Sequence, residues 1–324
     1  MNNVKLINTI PINPLLVLES ANKAYNSSCS EDKWTNSWDW LFNRDNAEDN
    51  AVGFYIQING VVASFVMIVP LTISNGKDHK LKAGLAIWGL THPDYQGKGY
   101  YSDVYRFAER YAIDAGYDCL IAFDNHNSHY PEVKYLNWRD IGLLTSFTLK
   151  HNEINPIKDR DNEYRTIAQE LDEPALEMIS HFDTNNALYS IDRNYSFLKW
   201  RLLDHPHNKY FIRSLYHGSD ILACAIYKEY QDTSVDIMEL FYKNSNQTEN
   251  LHYLHYLIED IALNGLKNVN IWSNLISLEH LALEKIGFEE RGFSAYFVCN
   301  KLNMQDDILD LRNWHYRFMD SDVY

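Results

Sequence analysis

Apolar and polar positions along this chain follow two periods, and the changes of period divide it into elements. Residues 14–45 read as helical, with Trp34, Trp38, Trp40 and Leu41 clustered ahead of the polar run Asn43–Asn50. Phe54–Gln57 and Val61–Val69 alternate on either side of Asn59-Gly60, the strongest hairpin signal in the chain. A second turn at Asn75-Gly76 leads to Leu85–Thr91, an apolar run fit for a buried strand. Tyr101, Val104, Ala108, Tyr111 and Ala115 then recur at helical spacing, which predicts a helix over 99–115 ended by Ala115-Gly116. Cys119–Phe123 and Leu143–Leu149 read as short buried strands.

The second half returns to the same order. Tyr210–Tyr216 and Ile221–Tyr227 flank a turn at 217–220, Val235–Tyr242 reads as a strand, and 249–263 reads as a helix stopped by Asn264-Gly265. Val269–Trp272 follows as a strand, and a helix runs from a Ser277 N-cap to Lys285 before Ile286-Gly287-Phe288. Gly265 follows Gly116 by 149 positions and Gly287 follows Asn137 by 150, with Trp272-Ser273-Asn274 opposite Phe123-Asp124-Asn125. We read a tandem pair of related folds. The expected domains are 1–150 and 166–324, joined by a charged and polar linker over 151–165.

Between the strand Leu85–Thr91 and its helix lies His92-Pro93-Asp94, then Gln96-Gly97-Lys98-Gly99. Strand, glycine loop and helix together aim unpaired backbone N–H groups, with the positive end of the macrodipole, at an anion. Glycine lets a phosphate approach the backbone because no Cβ intervenes. The stretch resembles the acyl-CoA loop of the GNAT N-acetyltransferase superfamily, Gln/Arg-x-x-Gly-x-Gly/Ala. Gln96, Gly97, Lys98, Gly99 and Tyr100 fit it, and Tyr101 stands where a small residue is usual. Phe123–Ser128 looks like the family's Asn-containing segment, and Lys134–Gly142 like its closing Leu-Gly-Phe segment, with Asn137 for the Gly and Trp138 for the Phe. The resemblance covers roughly residues 50–150 and implies an α/β fold with mixed sheets: two tandem GNAT-like domains. The second is degenerate, because Lys243–Asn250 lacks the glycine loop.

Composition narrows the partners. The chain has 324 residues, 46% hydrophobic and 23% charged, as in a globular protein, and a formal net charge of −15. That field repels phosphate backbones, so no nucleic-acid partner is expected, and an anionic ligand needs a local site. Cys29, Cys119, Cys224 and Cys299 show no paired spacing, and Cys119 and Cys224 sit in apolar runs, which points to a reducing, cytoplasmic setting. Asn2, Asn3, Asn8 and Asn13 interrupt the amino-terminal stretch, so no leader is expected. Val61–Leu71 is the longest apolar run, short of the roughly 20 residues a membrane helix needs, so no membrane partner is expected. The oligomeric state is open.

The resemblance implies an acyl-CoA co-substrate, acetyl-CoA or a short 3-hydroxyacyl-CoA, with no metal. It places the pantetheine arm at Gly89, Leu90 and Thr91, and the phosphates at Gln96, Gly97, Lys98, Gly99, Tyr100 and Tyr101, with Asn127 nearby. Acyl transfer to an amine needs a base, a polarised carbonyl and a proton for the thiolate. Asp124, His126 and His129 cluster after Cys119–Phe123; a histidine's ordinary pKa of about 6.5 suits a base. His126 is the first candidate and Asp124 the second. The family's tyrosine acid falls at Val133 by count, which leaves Tyr130 or Tyr135 as substitutes, Tyr130 first. Asn125 and His129 are candidates for the acceptor. Asp192–Arg201 resembles the segment opening the second half of bacterial two-domain GNAT-like proteins of surface-polysaccharide pathways. There Arg193, Trp200 and Arg201 either hold a sugar or phosphate or belong to an amphipathic helix that packs the two halves together. His252, His255 and Glu259 have metal-ligand spacing but read as a helix surface. The resemblance favours a nucleotide-linked amino sugar as acceptor, of the dTDP-amino-dideoxyhexose type. A Fem-type aminoacyl-tRNA-dependent transferase and a non-catalytic acyl-CoA-binding module are the alternatives.

Overall fold

The computed structural model describes every residue except 1–3, 8–11, 45, 47–49, 77–78, 159, 183, 185–186, 231–232, 245, 265–266, 305 and 323–324. Gly265, expected to stop a helix, lies outside the described residues, as do Asn2, Asn3 and Asn8. The chain forms two compact units, Met1–Gly142 with Tyr296–Leu309, and Leu143–Ala295 with Asp310–Tyr324. The units therefore do not divide at residue 150: the strand expected at 143–149 falls in the second, and 296–309 returns to the first.

In the first unit two helices, α1 (Pro14–Tyr25) and α2 (Glu31–Phe42), replace the one stretch expected over 14–45. The Asn13 side chain caps α1, Asn26 ends it in the left-handed region at φ 50°, and Ser30 caps α2 by accepting from Lys33 N–H. β1 (Val4–Ile7), β2 (Val52–Ile58), β3 (Val61–Asn75) and β4 (His79–Thr91) form an antiparallel run. Asn59 and Gly60 turn the β2–β3 hairpin at φ 51° and 84°, as a tight primed turn requires. Then come α3 (Tyr100–Asp114), β5 (Cys119–Asp124) parallel to β4, α4 (His126–Tyr135) and β6 (Arg139–Leu149). Phe54, Val66, Ile68, Val104, Ala108, Leu120 and the fully buried Trp138 form the core between sheet and α3. Glu109 fixes this packing, accepting from Trp138 Nε1 at 3.0 Å and Asn300 Nδ2 at 2.8 Å.

The second unit begins with β7 (Tyr164–Glu170), α5 (Glu173–Ile179), β8 (Tyr189–Ile191) and the short α6 (Tyr195–Leu198), which runs into a π turn through Leu203. β9 (Phe211–His217), β10 (Asp220–Tyr230) and β11 (Ser234–Tyr242) then repeat the antiparallel run. α7 (Gln247–Leu263), β12 (Asn268–Trp272) parallel to β11, α8 (Leu278–Ile286) and β13 (Glu289–Lys301) complete the order seen from α3 to β6. In each unit the last parallel strand is edged antiparallel by a distant segment: β5 by residues 296–301, β12 by residues 146–149.

The expected linker is not a free connection. Ile154 and Ile157 pack on the second core, and Asn155 Nδ2 donates to the Lys285 carbonyl at 2.9 Å. Glu259 accepts from Ile157 N–H and from Arg160, and Asn155 O lies 2.8 Å from His255 Nε2. The residues with metal-ligand spacing on α7 thus hold this segment down, and Tyr164 continues it as β7. Among the described residues no helix is long and apolar enough to cross a membrane.

Candidate active site

The site in the first unit is built by a fault in β4. Its parallel pairing with β5 ends at Leu85↔Ile121, and its ladder with β3 jumps from Ile87 to Leu90. Trp88 and Gly89 therefore stand outside both registers, with Trp88 in the left-handed region at φ 55°. That conformation is costly for a bulky residue, so neighbours must hold it. Trp88 stacks on Trp34 of α2 with ring centroids 4.4 Å apart, and Tyr25 of α1 donates to the Gly89 carbonyl at 3.1 Å. Ser64 Oγ donates to the Leu90 carbonyl at 2.8 Å and lies 3.1 Å from Thr91 Oγ1. The amino-terminal helices thus brace Trp88 and Gly89, and β3 braces Leu90 and Thr91, the strand end expected to face the pantetheine arm.

The loop follows directly. His92 is buried and accepts from Asp94 N–H through Nδ1, and Gln96 Nε2 reaches back to the Thr91 carbonyl at 3.4 Å. Gly97 and Gly99 take φ of 73° and 82°, and a Cβ on either would meet no protein atom within 4 Å. Both need glycine for backbone conformation, and the space before them is open. Gly99 is the N-cap of α3 without a side-chain cap, so the first-turn amides face outward. Lys98 folds back, donating to the Asp94 carbonyl at 2.7 Å and lying over the Tyr95 ring. Tyr100 is half-buried beside Tyr95.

Tyr101, in place of a small residue, turns inward. It stacks on Tyr105, its hydroxyl 3.0 Å from the Tyr105 oxygen, and it donates to Glu132 Oε1 at 2.6 Å. Glu132 is fully buried, and its carboxyl is pushed well above the usual carboxylate range by burial and then by the neighbouring Asp124. Burial likewise raises the Tyr101 and Tyr105 phenols. A Cβ on Gly89 would stand 2.5 Å from the Tyr105 oxygen and 3.1 Å from that of Tyr101, so the polar cluster lies directly against the β4 fault. Glu132 and Tyr105 are functional candidates that only the fold brings out. Tyr105 sits four residues after Tyr101 on α3, the one sequence signal; Glu132 lies in a polar run and gives none.

The other candidates lie on α4 and its cap. Asn125 is the N-cap, its Oδ1 accepting from Asn127 and Ser128 N–H groups. His126 is exposed, with Nδ1 3.0 Å from the Tyr296 hydroxyl. His129 Nε2 lies 2.6 Å from Asp140 Oδ1, and its ring stacks on Tyr296 at 3.8 Å. Tyr130 is exposed and hydrogen-bonded to Lys134, which lowers its phenol from the ordinary value. Asp124 is buried at the end of β5 against Glu132.

The second unit's candidates belong to its interior. Arg193 is buried between Glu239, at 2.8 Å, and Asp320, at 2.7 Å. Arg201 is buried and donates to the Met319 and Ser321 carbonyls. Trp200 is buried beside Phe197. These three side chains are held inside the second unit by its own acids, carbonyls and rings. At the start of α7, Asn246 caps by accepting from Glu249 N–H, and Asn244 Nδ2 donates to Glu249 Oε2. The helix end that is open in the first unit is closed here by side chains.

Both units thus follow the GNAT order of strands and helices, and the chain is a tandem GNAT fold. Residues 18–131 match the acetyltransferase (GNAT) family. A search of the curated proteins found no significant match. Among solved structures, the chain is similar to a conserved protein of unknown function from Enterococcus faecalis described as a probable N-acyltransferase. The TM-score there is 0.70 at 12% identity, over 94% of this chain and 74% of that one. A GCN5-related N-acetyltransferase from Anabaena variabilis gives a TM-score of 0.67 at 11% identity, over 93% and 73%. A tandem GNAT protein from the clavulanic acid biosynthesis pathway gives 0.61 at 11% identity, over 94% and 100%.

Proposed function

We propose that the protein transfers an acyl group from CoA to the amine of a small acceptor, with the CoA held by the first unit. One observation carries the reading: β4 leaves β5 at Leu85 and opens both ladders at Trp88–Gly89, immediately before an uncapped helix end behind Gly97 and Gly99. An anion fits that helix end because its N–H groups lack partners and no side chain fills the space. The pantetheine arm fits the strand fault because the peptide groups there stand outside the ladders. The acyl thioester then lies near Gly89.

The acceptor nitrogen forms the new C–N bond as the C–S bond breaks. His126, exposed at the mouth of α4, takes the amine's proton. The GNAT-type relatives support acyl transfer, and the net charge of −15 counts against a tRNA donor. We take a nucleotide-linked amino sugar as the acceptor class, on the sequence resemblance alone. Incubating the protein with acetyl- and 3-hydroxyacyl-CoA and a panel of nucleotide amino sugars, peptides and polyamines, read by mass spectrometry, tests it. An acylated sugar is expected. Acylation of a peptide or polyamine alone would move the acceptor class, and no product with any amine would leave a binding module.

A further inference from the structure

We propose that Asp124 and Glu132 hold one proton between them, and that Tyr101 and Tyr105 pass it to the CoA thiolate as it leaves. The inference rests on the acyl-transfer reading above and adds the source of the leaving group's proton.

Two buried carboxyls in contact cannot both ionise cheaply, since their repulsion acts in a medium of low dielectric. Glu132 is fully buried on α4, and Asp124 is 6% exposed at the end of β5. Asp124 from β5 and Tyr101 and Tyr105 from α3 face Glu132, and all three are acids. Tyr101 serves Oε1, whereas Oε2 is buried without a donor in the heavy-atom geometry. A proton on one carboxyl supplies the missing donor. Burial and the Asp124 charge both raise the Glu132 carboxyl, in agreement with that count.

The proton count sets the direction of the hydrogen bonds. With Glu132 ionised, Tyr101 must point its proton at Oε1, away from the strand. With Glu132 protonated, the carboxyl can donate to the phenol oxygen, and the phenol proton turns outward. Outward means Gly89, whose missing Cβ leaves the two phenol oxygens against the β4 fault. As the C–S bond breaks, the sulfur takes a phenol proton and the phenol takes the carboxyl's. The amine's proton has gone to the base as the C–N bond formed. The pair then regains a proton from water after product release, and His126 returns its own. Asp124 and Glu132 act through the phenols and are positioning residues; Tyr101 is the donor.

The test uses the full chain and Glu132→Gln, which keeps the shape and a donor but cannot titrate. Infrared spectroscopy across pH should show a protonated-carboxyl band in the wild type above the ordinary carboxyl range, absent from the variant. In steady state the wild type should lose kcat on the alkaline side as the pair ionises. Glu132→Gln should lose that limb, with KM for acetyl-CoA within about twofold, and Tyr101→Phe should lower kcat by about 10²-fold. Glu132→Leu should be worse than Glu132→Gln, because leucine cannot hold the phenols. If Glu132→Gln does not fold, Asp124→Asn removes the same shared proton from the other side. No titrating band, or an alkaline limb unchanged in both variants, overturns the proposal. An intact band with no amine acylated would instead overturn the functional reading, and the same pH test then runs on thiol release from acetyl-CoA.

Discussion

Gly89 and Tyr105 approach so closely that a Cβ on the glycine would lie 2.5 Å from the phenol oxygen. Gly89→Ala must therefore displace Tyr105, and overpacking of this kind costs about 1–3 kcal/mol. Urea denaturation should show that loss, together with weaker acetyl-CoA binding. Adding Tyr105→Phe removes the clashing oxygen and should recover part of the stability, a coupling that the double-mutant cycle measures. Independent, additive losses would show that the two residues do not meet.

The folded-state carboxyl of Glu132 is raised, so the folded protein binds more protons there than the unfolded chain. Its contribution is fully present below the unfolded carboxyl pKa of about 4.3 and is lost as pH rises through the folded value. Glu132→Gln should remove this loss. Relative to the wild type, the variant should gain stability as pH is raised from the acid range towards neutral and above. Parallel stability curves for the two proteins would show that Glu132 titrates normally.

His126 is exposed at the start of α4, where it can exchange a proton with solvent. His126→Ala should lower kcat strongly at neutral pH while the affinity for CoA is kept. Activity within about threefold of wild type, less than about 1 kcal/mol of barrier, would pass the role to water.

Arg193 neutralises Glu239 and Asp320 in the second unit. Arg193→Met removes one cation from a buried network in which Glu239 keeps His315 and Arg317, and breaking such a network costs about 3–5 kcal/mol. Denaturation should show the loss, with KM for the acceptor unchanged in the protein that remains folded. A raised acceptor KM at normal stability would return Arg193 to the binding site.

Much of this architecture was legible in the sequence because strand alternation, Asn-Gly turns and the Gln96–Gly99 loop each have a local cause. The repeat was legible for the same reason: Asn137, at φ 63°, matches Gly287, at φ 118°, after α4 and α8. What stayed hidden depended on distant partners. The segment 151–165 looks like a linker until α7 supplies Glu259 and Tyr256 to hold it. Arg193 reads equally as a sugar ligand or a packing residue, and its partner Asp320 lies 127 residues away. Glu132 sits beside Pro131 in a polar run, and nothing local says that its carboxyl is buried under two phenols.

Titration calorimetry tests most directly whether one acyl-CoA enters the first unit at the Gly97–Gly99 helix end. A stoichiometry near one CoA per chain is expected for the wild type. No binding is expected for Gly99→Glu, in which a bulky anion must adopt φ near 82° where the phosphates would lie. The Gly99→Glu protein should keep its fold by circular dichroism. A stoichiometry near two would show that α7 keeps a site of its own despite Asn246 and Glu249, and tight binding by folded Gly99→Glu would place the CoA elsewhere.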